Sequence, residues 1–155
     1  MSTSSFQYCT FHVESLFLGI EVQHVQEVIR YQKMTRVPLA PATISGLINL
    51  RGQIVTAVDL RCRLGLPLRE NGNLPMNVVV RDGDTNVSLL VDRIGDVLQV
   101  DDELYEPPPL TVTPQLRNLI RGAYKLPEQL WLVLDTARIL EECDQQLSQE
   151  QLVSV

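Results

Sequence analysis

The sequence feature that most constrains the fold of this chain is an internal repeat. A displacement of 76 positions aligns residues 44–64 with residues 120–140 without a gap, and six of the 21 aligned positions are identical. About one identity would be expected by chance from average residue frequencies. A chain of 155 residues can bury one core or two small cores that share an interface, so the repeat predicts two related halves. The identical pairs are Ile44/Ile120, Gly46/Gly122, Leu50/Leu126, Gln53/Gln129, Asp59/Asp135 and Leu64/Leu140.

Each half has the pattern of short strands separated by turns, and neither has the pattern of long helices. In each half a pair of strands comes first, then a third strand, and then the repeated segment, which is predicted to be a second hairpin. In the first half the turn of that hairpin is Arg51-Gly52. In the second half, Gly83 lies where a tight hairpin turn requires a positive φ. About five strands per half predict two small β-barrels in one compact unit, and strands can cross between the barrels. The predicted strands include residues 8–13, 16–21, 25–31, 46–50, 53–58, 77–81, 86–91 and 94–100.

An aspartate ends each copy of the repeated hairpin. Asp59 precedes a predicted short helix over residues 60–64, and Asp135 precedes a longer one that runs to about residue 147. A carboxylate at the N-cap accepts hydrogen bonds from free backbone N–H groups and stabilises a helix by about 1 kcal/mol. Structural roles are therefore predicted for Gly46, Asp59, Gly122 and Asp135.

Charge and composition exclude several classes of protein. With 13 basic and 19 acidic residues and a net charge of −6, the chain lacks the cationic surplus that a duplex-binding protein needs. No run of about 18 apolar residues predicts a membrane-spanning helix, and no signal peptide is recognisable. The widely spaced Cys9, Cys62 and Cys143 predict reduced thiols in a cytosolic protein, without a metal site.

The sequence contains no motif that predicts catalysis. It has no nucleophile elbow and no phosphate-binding glycine loop, and His12 and His24 are isolated. One enzymatic alternative is an aspartyl hydrolase, in which Asp59 and Asp135 would lie about 3 Å apart and share one proton. The first copy continues as Asp-Leu-Arg, without the Thr or Gly that a matching catalytic loop needs. The helix-cap interpretation is therefore favoured.

The first copy of the repeat resembles the signature of the CheW family. Residues 46–52 read Gly-Leu-Ile-Asn-Leu-Arg-Gly, and residues 59–60 supply the Asp-Leu that starts a helix. The preceding Val-Gln-Glu-Val-Ile of residues 25–29 and the prolines that follow it are similar to the family in order and spacing. So are the second-half motifs, which are Val91-Asp92, Pro107–Pro109, Ile120-Arg121-Gly122 and Leu134-Asp135.

The resemblance also predicts the domain boundaries. It covers about residues 7–141, which we interpret as a single domain with pseudo-repeated halves over residues 7–65 and 76–141. Residues 1–6 and 148–155 are predicted to be disordered tails.

Fold and function follow as implications of the resemblance. It implies a mostly β fold of two SH3-like five-stranded barrels with short helices and a C-terminal helix, and no active site, cofactor or metal. It implies a cytoplasmic adaptor that couples chemoreceptors, the methyl-accepting chemotaxis proteins, to a CheA-type histidine kinase through the kinase regulatory domain. An adaptor of a related pathway controlling pili, gliding or development would share the fold and the interfaces. The isolated chain is expected to be a monomer.

The resemblance implies a set of partner-binding residues, and the residue types leave alternatives open for several of them. Arg51 either faces a partner or forms an internal salt bridge, for instance to Glu27 or Asp59. Gly52 and Asn49 serve the hairpin turn or lie near the receptor contact. Val25 is either part of a receptor-facing groove or a core strand residue. The predicted partner-binding residues are Val25, Glu27, Asn49, Arg51, Gly52 and, as weaker counterparts in the second half, Asp96 and Val97.

Overall fold

A computed structural model describes residues 5–67, 69–70, 72–101, 105–107 and 112–141. The strands are β1 (Ser5–Val13), β2 (Leu16–Glu21), β3 (Val25–Ile29), β4 (Ile44–Leu50), β5 (Gln53–Asp59), β6 (Met76–Asp82), β7 (Thr85–Val91), β8 (Arg93–Asp101), β9 (Tyr105–Glu106), β10 (Ile120–Lys125) and β11 (Leu130–Leu134). The helices are α1 (Leu60–Arg63), α2 (Pro114–Arg117) and residues 136–141, here α3, and a 3-10 turn covers Val22–His24.

The predicted hairpins form with the predicted turns. Val13 opposes Leu16 at the end of the β1–β2 hairpin, and Asp82 opposes Thr85 at the end of the β6–β7 hairpin. Gly83 has a φ of 64° in the latter turn, the left-handed conformation that the hairpin requires. Strands β4–β5 and β10–β11 form the two copies of the repeated hairpin.

The eleven described strands form two sheets that exchange hairpins between the halves of the sequence. One sheet has the order β8-β1-β2-β11-β10-β9, and its core is aromatic; we call it the aromatic barrel. The other has the order β3-β6-β7-β5-β4, and its core is aliphatic; we call it the aliphatic barrel. Each barrel contains the first hairpin of one half and the remaining strands of the other half.

The two barrels have equivalent registers. The parallel pairing of β2 with β11 places Leu18 opposite Leu132, and that of β7 with β5 places Val87 opposite Thr56 at the equivalent position. Strands β4 and β10 each shift register just before the repeated glycine. The prediction of two small five-stranded barrels is confirmed, with the two-residue strand β9 added at one edge.

One hydrophobic cluster joins the two barrels. It contains residues from the first hairpins of both halves, such as Phe11 and Leu18 from one and Val78 and Leu89 from the other, all fully buried. Burial of such a side chain contributes about 1.5–3 kcal/mol. The apolar faces of α1 and α3 belong to the same cluster, so the helices close the joint between the barrels.

The two barrels fill their separate cores with different chemistry. In the aromatic barrel, Trp131 stacks on Tyr124 with ring centroids 5.0 Å apart and meets Tyr8 edge-on at 5.2 Å. Gly19 makes room for the indole, since a Cβ there would lie 2.5 Å from its Nε1 atom. At the position equivalent to Gly19, the aliphatic barrel has Ser88, whose hydroxyl donates a 2.7 Å hydrogen bond to a buried asparagine.

The aspartates at the ends of the repeated hairpins are helix caps, as predicted. The carboxylate of Asp59 accepts a 3.0 Å hydrogen bond from the backbone N–H of Arg61, and that of Asp135 accepts a 3.2 Å bond from the N–H of Arg138. Strand β1 starts at Ser5, two residues inside the segment predicted as a tail. The predicted tail at residues 148–155, and the predicted helix beyond residue 141, lie outside the described residues.

Candidate protein-interaction surface

Strands β3 and β8 are the equivalent edge strands of the two barrels. Each pairs with only one neighbour in its sheet, β3 with β6 and β8 with β1. Each also shifts register at the same place along its partner strand, so that Glu27 and Asp96 occupy equivalent positions. An edge strand carries backbone groups that a partner can cover, and all the predicted partner-binding residues lie on these two strands or on the β4–β5 turn.

The β4–β5 turn is built by two residues in the left-handed conformation. Arg51 has a φ of 53° and Gly52 a φ of 84°. The side-chain oxygen of Asn49 accepts a 2.9 Å hydrogen bond from the backbone N–H of Gly52. Asn49 and Gly52 therefore stabilise the conformation of the turn. Their contact with a partner stays a prediction.

Arg51 pairs with Glu27 across the aliphatic barrel. An Nη atom of Arg51 lies 3.0 Å from a carboxylate oxygen of Glu27. Asp59, the other internal partner considered for Arg51, is instead bound by Arg69. The Arg51 side chain is 82% exposed while that of Glu27 is 17% exposed, so the ion pair holds the acid at the strand and still presents the guanidinium to solvent. Internal pairing and contact with a partner are thus compatible.

The apolar residues of β3 divide between core and surface. Val25 is half-buried and packs against the central hydrophobic cluster, as the core interpretation of this residue expects. Val28 is 38% exposed, and sequence reasoning did not select it as a candidate. Val28 alternates along the strand with the half-buried Glu27 and Ile29, so it lies on the outer face of β3.

Strand β8 repeats this surface with one difference in charge. Val97 is 58% exposed and occupies the position of Val28, and Asp96 occupies that of Glu27. The repeat replaces Arg51 by Pro127 and Gly52 by Glu128. Asp96 therefore has no counterpart of the Arg51 ion pair, and among the described residues no basic side chain is paired with it.

An ion network that the sequence analysis did not predict fastens the connection between the halves. Arg69 lies between two carboxylates, 3.1 Å from Asp59 and 3.0 Å from Asp92. Arg61 donates to Asp92 at 2.7 Å. All four side chains are no more than 17% exposed. Asp92 is more than 20 residues from both arginines that bind it, so no local sequence pattern could have revealed the network.

This network shifts the pKa of Asp92. Burial acts to raise the pKa, but hydrogen bonds from Arg61 and from the backbone N–H of Glu14 lower it. The positive charge of Arg69 acts in the same direction, and the pKa of Asp92 lies below its ordinary value. The hydrogen bond to Asp92 also raises the pKa of Arg61 despite partial burial, so both groups are charged at neutral pH.

The described residues hold no arrangement suited to catalysis by the two repeated aspartates. The carboxylate of Asp59 caps helix α1 and accepts a hydrogen bond from Arg69, whereas that of Asp135 caps helix α3. No group of three His, Cys, Asp or Glu side chains in this part of the chain is placed to hold a metal ion. Cys9 and Cys62 are free thiols, and burial raises the pKa of Cys9. Cys143 lies outside the described residues. No described helix is long and apolar enough to cross a membrane.

The two barrels are equivalent and each has an accessible edge strand. Their repeated aspartates form helix caps and ion pairs. This arrangement is that of a protein-binding scaffold. The sequence model of the CheW-like domain matches residues 7–144. The chain is 31% identical over 132 residues to the chemotaxis protein CheW of Bacillus subtilis, with 85% of each chain covered. It is 30% identical to that of Thermotoga maritima, covering 88% of this chain and 89% of the relative.

A solved structure supports the same assignment. The crystal structure of the scaffolding protein TtCheW from Thermoanaerobacter tengcongensis matches with a TM-score of 0.76 and 25% identity, covering 85% of this chain and 90% of that one. The chain belongs to the CheW-like family of non-catalytic chemotaxis scaffold proteins. The sequence-based prediction of the family is confirmed, and the aspartyl-hydrolase alternative is wrong.

Proposed function

We propose that this chain is a cytoplasmic adaptor that couples chemoreceptors to a CheA-type histidine kinase. The observation that carries the proposal is the surface formed by edge strand β3 and the β4–β5 turn. There the exposed Val28 lies on the same strand as Glu27, whose partner Arg51 presents its guanidinium to solvent. An apolar side chain beside a pre-positioned charge suits the receptor tip, a helical hairpin that needs both a contact area and an orienting ion pair.

The equivalent edge strand β8 supports a second protein contact on the same unit. Val97 supplies the exposed apolar side chain, and Asp96 supplies a charge without a partner among the described residues. The central hydrophobic cluster packs the two barrels against each other, and we expect it to couple a displacement at one edge to the other edge. An adaptor of this kind acts by geometry, because receptor state shifts a pre-existing equilibrium of the kinase by altering how its regulatory domain is held.

The experiment that tests the proposal is calorimetric titration of the purified chain against two partners from the same organism. One is the regulatory domain of the kinase, and the other is a soluble fragment of the receptor tip. Saturable one-to-one binding to each is the expected result, as is simultaneous binding of both. Absence of binding to either partner contradicts the adaptor function while leaving the family assignment intact.

Variants assign the receptor surface. Arg51→Ala is expected to weaken binding of the receptor fragment by about tenfold and to leave kinase binding within about twofold of the wild type. Arg138→Ala is the matched control, because Arg138 is an exposed arginine of α3 that pairs with the carboxylate of Asp135 and lies outside β3 and the β4–β5 turn. Equal losses in the two variants would contradict the assignment. Fluorescence of Trp131 verifies that each variant is folded.

A further inference from the structure

The connection between β3 and β4, residues 30–43, concentrates positive charge in a chain of net charge −6. We call it the cationic loop. It contains Arg30, Lys33 and Arg36 and no acidic residue. All three side chains are exposed, and among the described residues no carboxylate pairs with any of them. The loop therefore has an unbalanced charge opposite to that of the whole molecule.

The cationic loop is held firmly against the aliphatic barrel. Thr35 and Leu47 exchange two backbone hydrogen bonds of 2.8 Å, and the side-chain amide of Asn77 donates to the carbonyl of Arg30 at 3.1 Å. Gly46 permits this close approach, since a Cβ at that position would lie 2.7 Å from the carbonyl oxygen of Thr35. A surface that is already ordered loses little conformational entropy when a ligand binds.

The same loop exposes two large apolar side chains, and the backbone of one of them is strained. Leu39 is 77% exposed and has a φ of 63°, which is unfavourable for a residue with a branched side chain. Burial of the Leu39 side chain does not offset this strain, because the side chain faces solvent. Tyr31 is also exposed, and a groove runs between the two residues. The groove is lined by both polar residues, Arg36 and Ser45, and apolar ones, among them Tyr31, Met34, Val37 and Leu39.

From these observations we infer that the cationic loop binds an extended acidic segment of a partner protein. Carboxylates of that segment pair with Arg30, Lys33 and Arg36, and an apolar side chain between them packs in the groove against Leu39 and Tyr31. Charge complementarity favours an acidic ligand, and the concave groove, in which Arg36 lies beside apolar side chains, favours a peptide over the flat surface of an anionic membrane. The inference does not rest on the proposed adaptor function, because its argument uses the charge and the groove of residues 30–45 and neither residue of the Arg51–Glu27 pair.

The test uses a short synthetic peptide of glutamates and leucines, and a matched peptide in which lysine replaces every glutamate. Binding to the full chain is measured by fluorescence anisotropy, and the contact surface by amide chemical shifts. The acidic peptide is expected to bind saturably, more weakly as salt increases, and to shift the amides of residues 30–45. The lysine peptide is expected not to bind.

Three variants define the site. Reversal of the three charges, as Arg30→Glu, Lys33→Glu and Arg36→Glu, is expected to weaken binding by at least about tenfold. Leu39→Gly removes the apolar contact and is compatible with the left-handed backbone, so binding weakens about threefold or more while thermal stability is retained or increased. The matched charge control reverses three exposed basic residues outside the loop, as Arg81→Glu, Lys125→Glu and Arg138→Glu, and leaves the affinity unchanged.

Several outcomes overturn the inference. Equal binding to the wild type and to the charge-reversed chain excludes the loop as the site, as does the absence of saturable binding. Binding to phosphatidylserine vesicles with no binding to the peptide would make the loop a membrane contact. Self-association that is detected by sedimentation and abolished by charge reversal would also overturn the inference. The ligand of the loop would then be a second copy of this acidic chain.

Discussion

The guanidinium of Arg51 lies 3.0 Å from the carboxylate of Glu27 and joins the tip of the β4–β5 hairpin to edge strand β3. The β10–β11 hairpin of the aromatic barrel lacks this pair, because Pro127 and Glu128 replace the arginine and glycine, and neither has the positive φ of the β4–β5 turn. The fold therefore does not require the ion pair. Its presence in one barrel alone is a chemical difference between the two edge-strand surfaces.

The ion pair is expected to contribute little to stability. A double-mutant cycle with Glu27→Ala and Arg51→Ala, measured by urea unfolding, should give a coupling energy of about 0.2–1 kcal/mol, since Arg51 is largely exposed. The exchanged pair Glu27→Arg with Arg51→Glu should recover that coupling without recovering receptor binding. A coupling energy above about 2 kcal/mol would identify the pair as a structural lock of the barrel.

Gly19 is expected to be intolerant of any side chain. A Cβ would lie 2.5 Å from Nε1 of Trp131, so Gly19→Ala should lower the free energy of unfolding by about 1–3 kcal/mol and displace the indole. Trp131 is the only tryptophan of the chain, and the emission of the folded protein should change. Ser88→Ala, at the equivalent position of the other barrel, is the control and should destabilise without changing this emission. Unchanged emission in Gly19→Ala would contradict the packing described here.

The ion network should make stability depend on pH in the acid range. Because the pKa of Asp92 is lower in the folded chain than its ordinary value, its contribution is fully present above the unfolded pKa of about 3.9. It is lost as the pH falls through the folded pKa. Asp92→Asn should reduce stability at neutral pH and flatten the acid limb of the unfolding free energy, measured by urea unfolding at a series of pH values. The exposed Asp84→Asn is the control, and an equally flattened limb in that variant would contradict the assignment to Asp92.

The two capping aspartates should differ in their contributions to stability. Asp135→Ala removes a cap and should cost about 1 kcal/mol. Asp59→Ala removes a cap and also leaves Arg69 with one carboxylate in place of two, so its cost should reach about 2–4 kcal/mol. Thermal unfolding of both variants measures the difference. Equal costs would show that the Arg69 pairing with Asp59 contributes nothing.

Much of the local structure could be predicted because the responsible interactions are short in sequence. Gly83 takes the positive φ of its hairpin turn, and the carboxylate of Asp59 reaches an N–H two residues ahead. The exposure of Val28 and Val97 could not be predicted in this way. It depends on which face of β3 and β8 the rest of the fold leaves uncovered, and that is decided by packing between segments distant in sequence.

The repeated halves, the four hairpins, the helix caps and membership of the CheW-like family could all be predicted from the sequence, because each depends on neighbouring residues or on a pattern shared with relatives. The exchange of the first hairpins between the halves, and the position of Arg69 between Asp59 and Asp92, became visible only in the folded chain. The same is true of the assignment of Glu27 as the partner of Arg51. The physical reason is that parallel pairing and ion pairing between distant residues depend on which strand edges and apolar faces are buried together. That choice is made by the free energy of the whole core and is not encoded in any local segment.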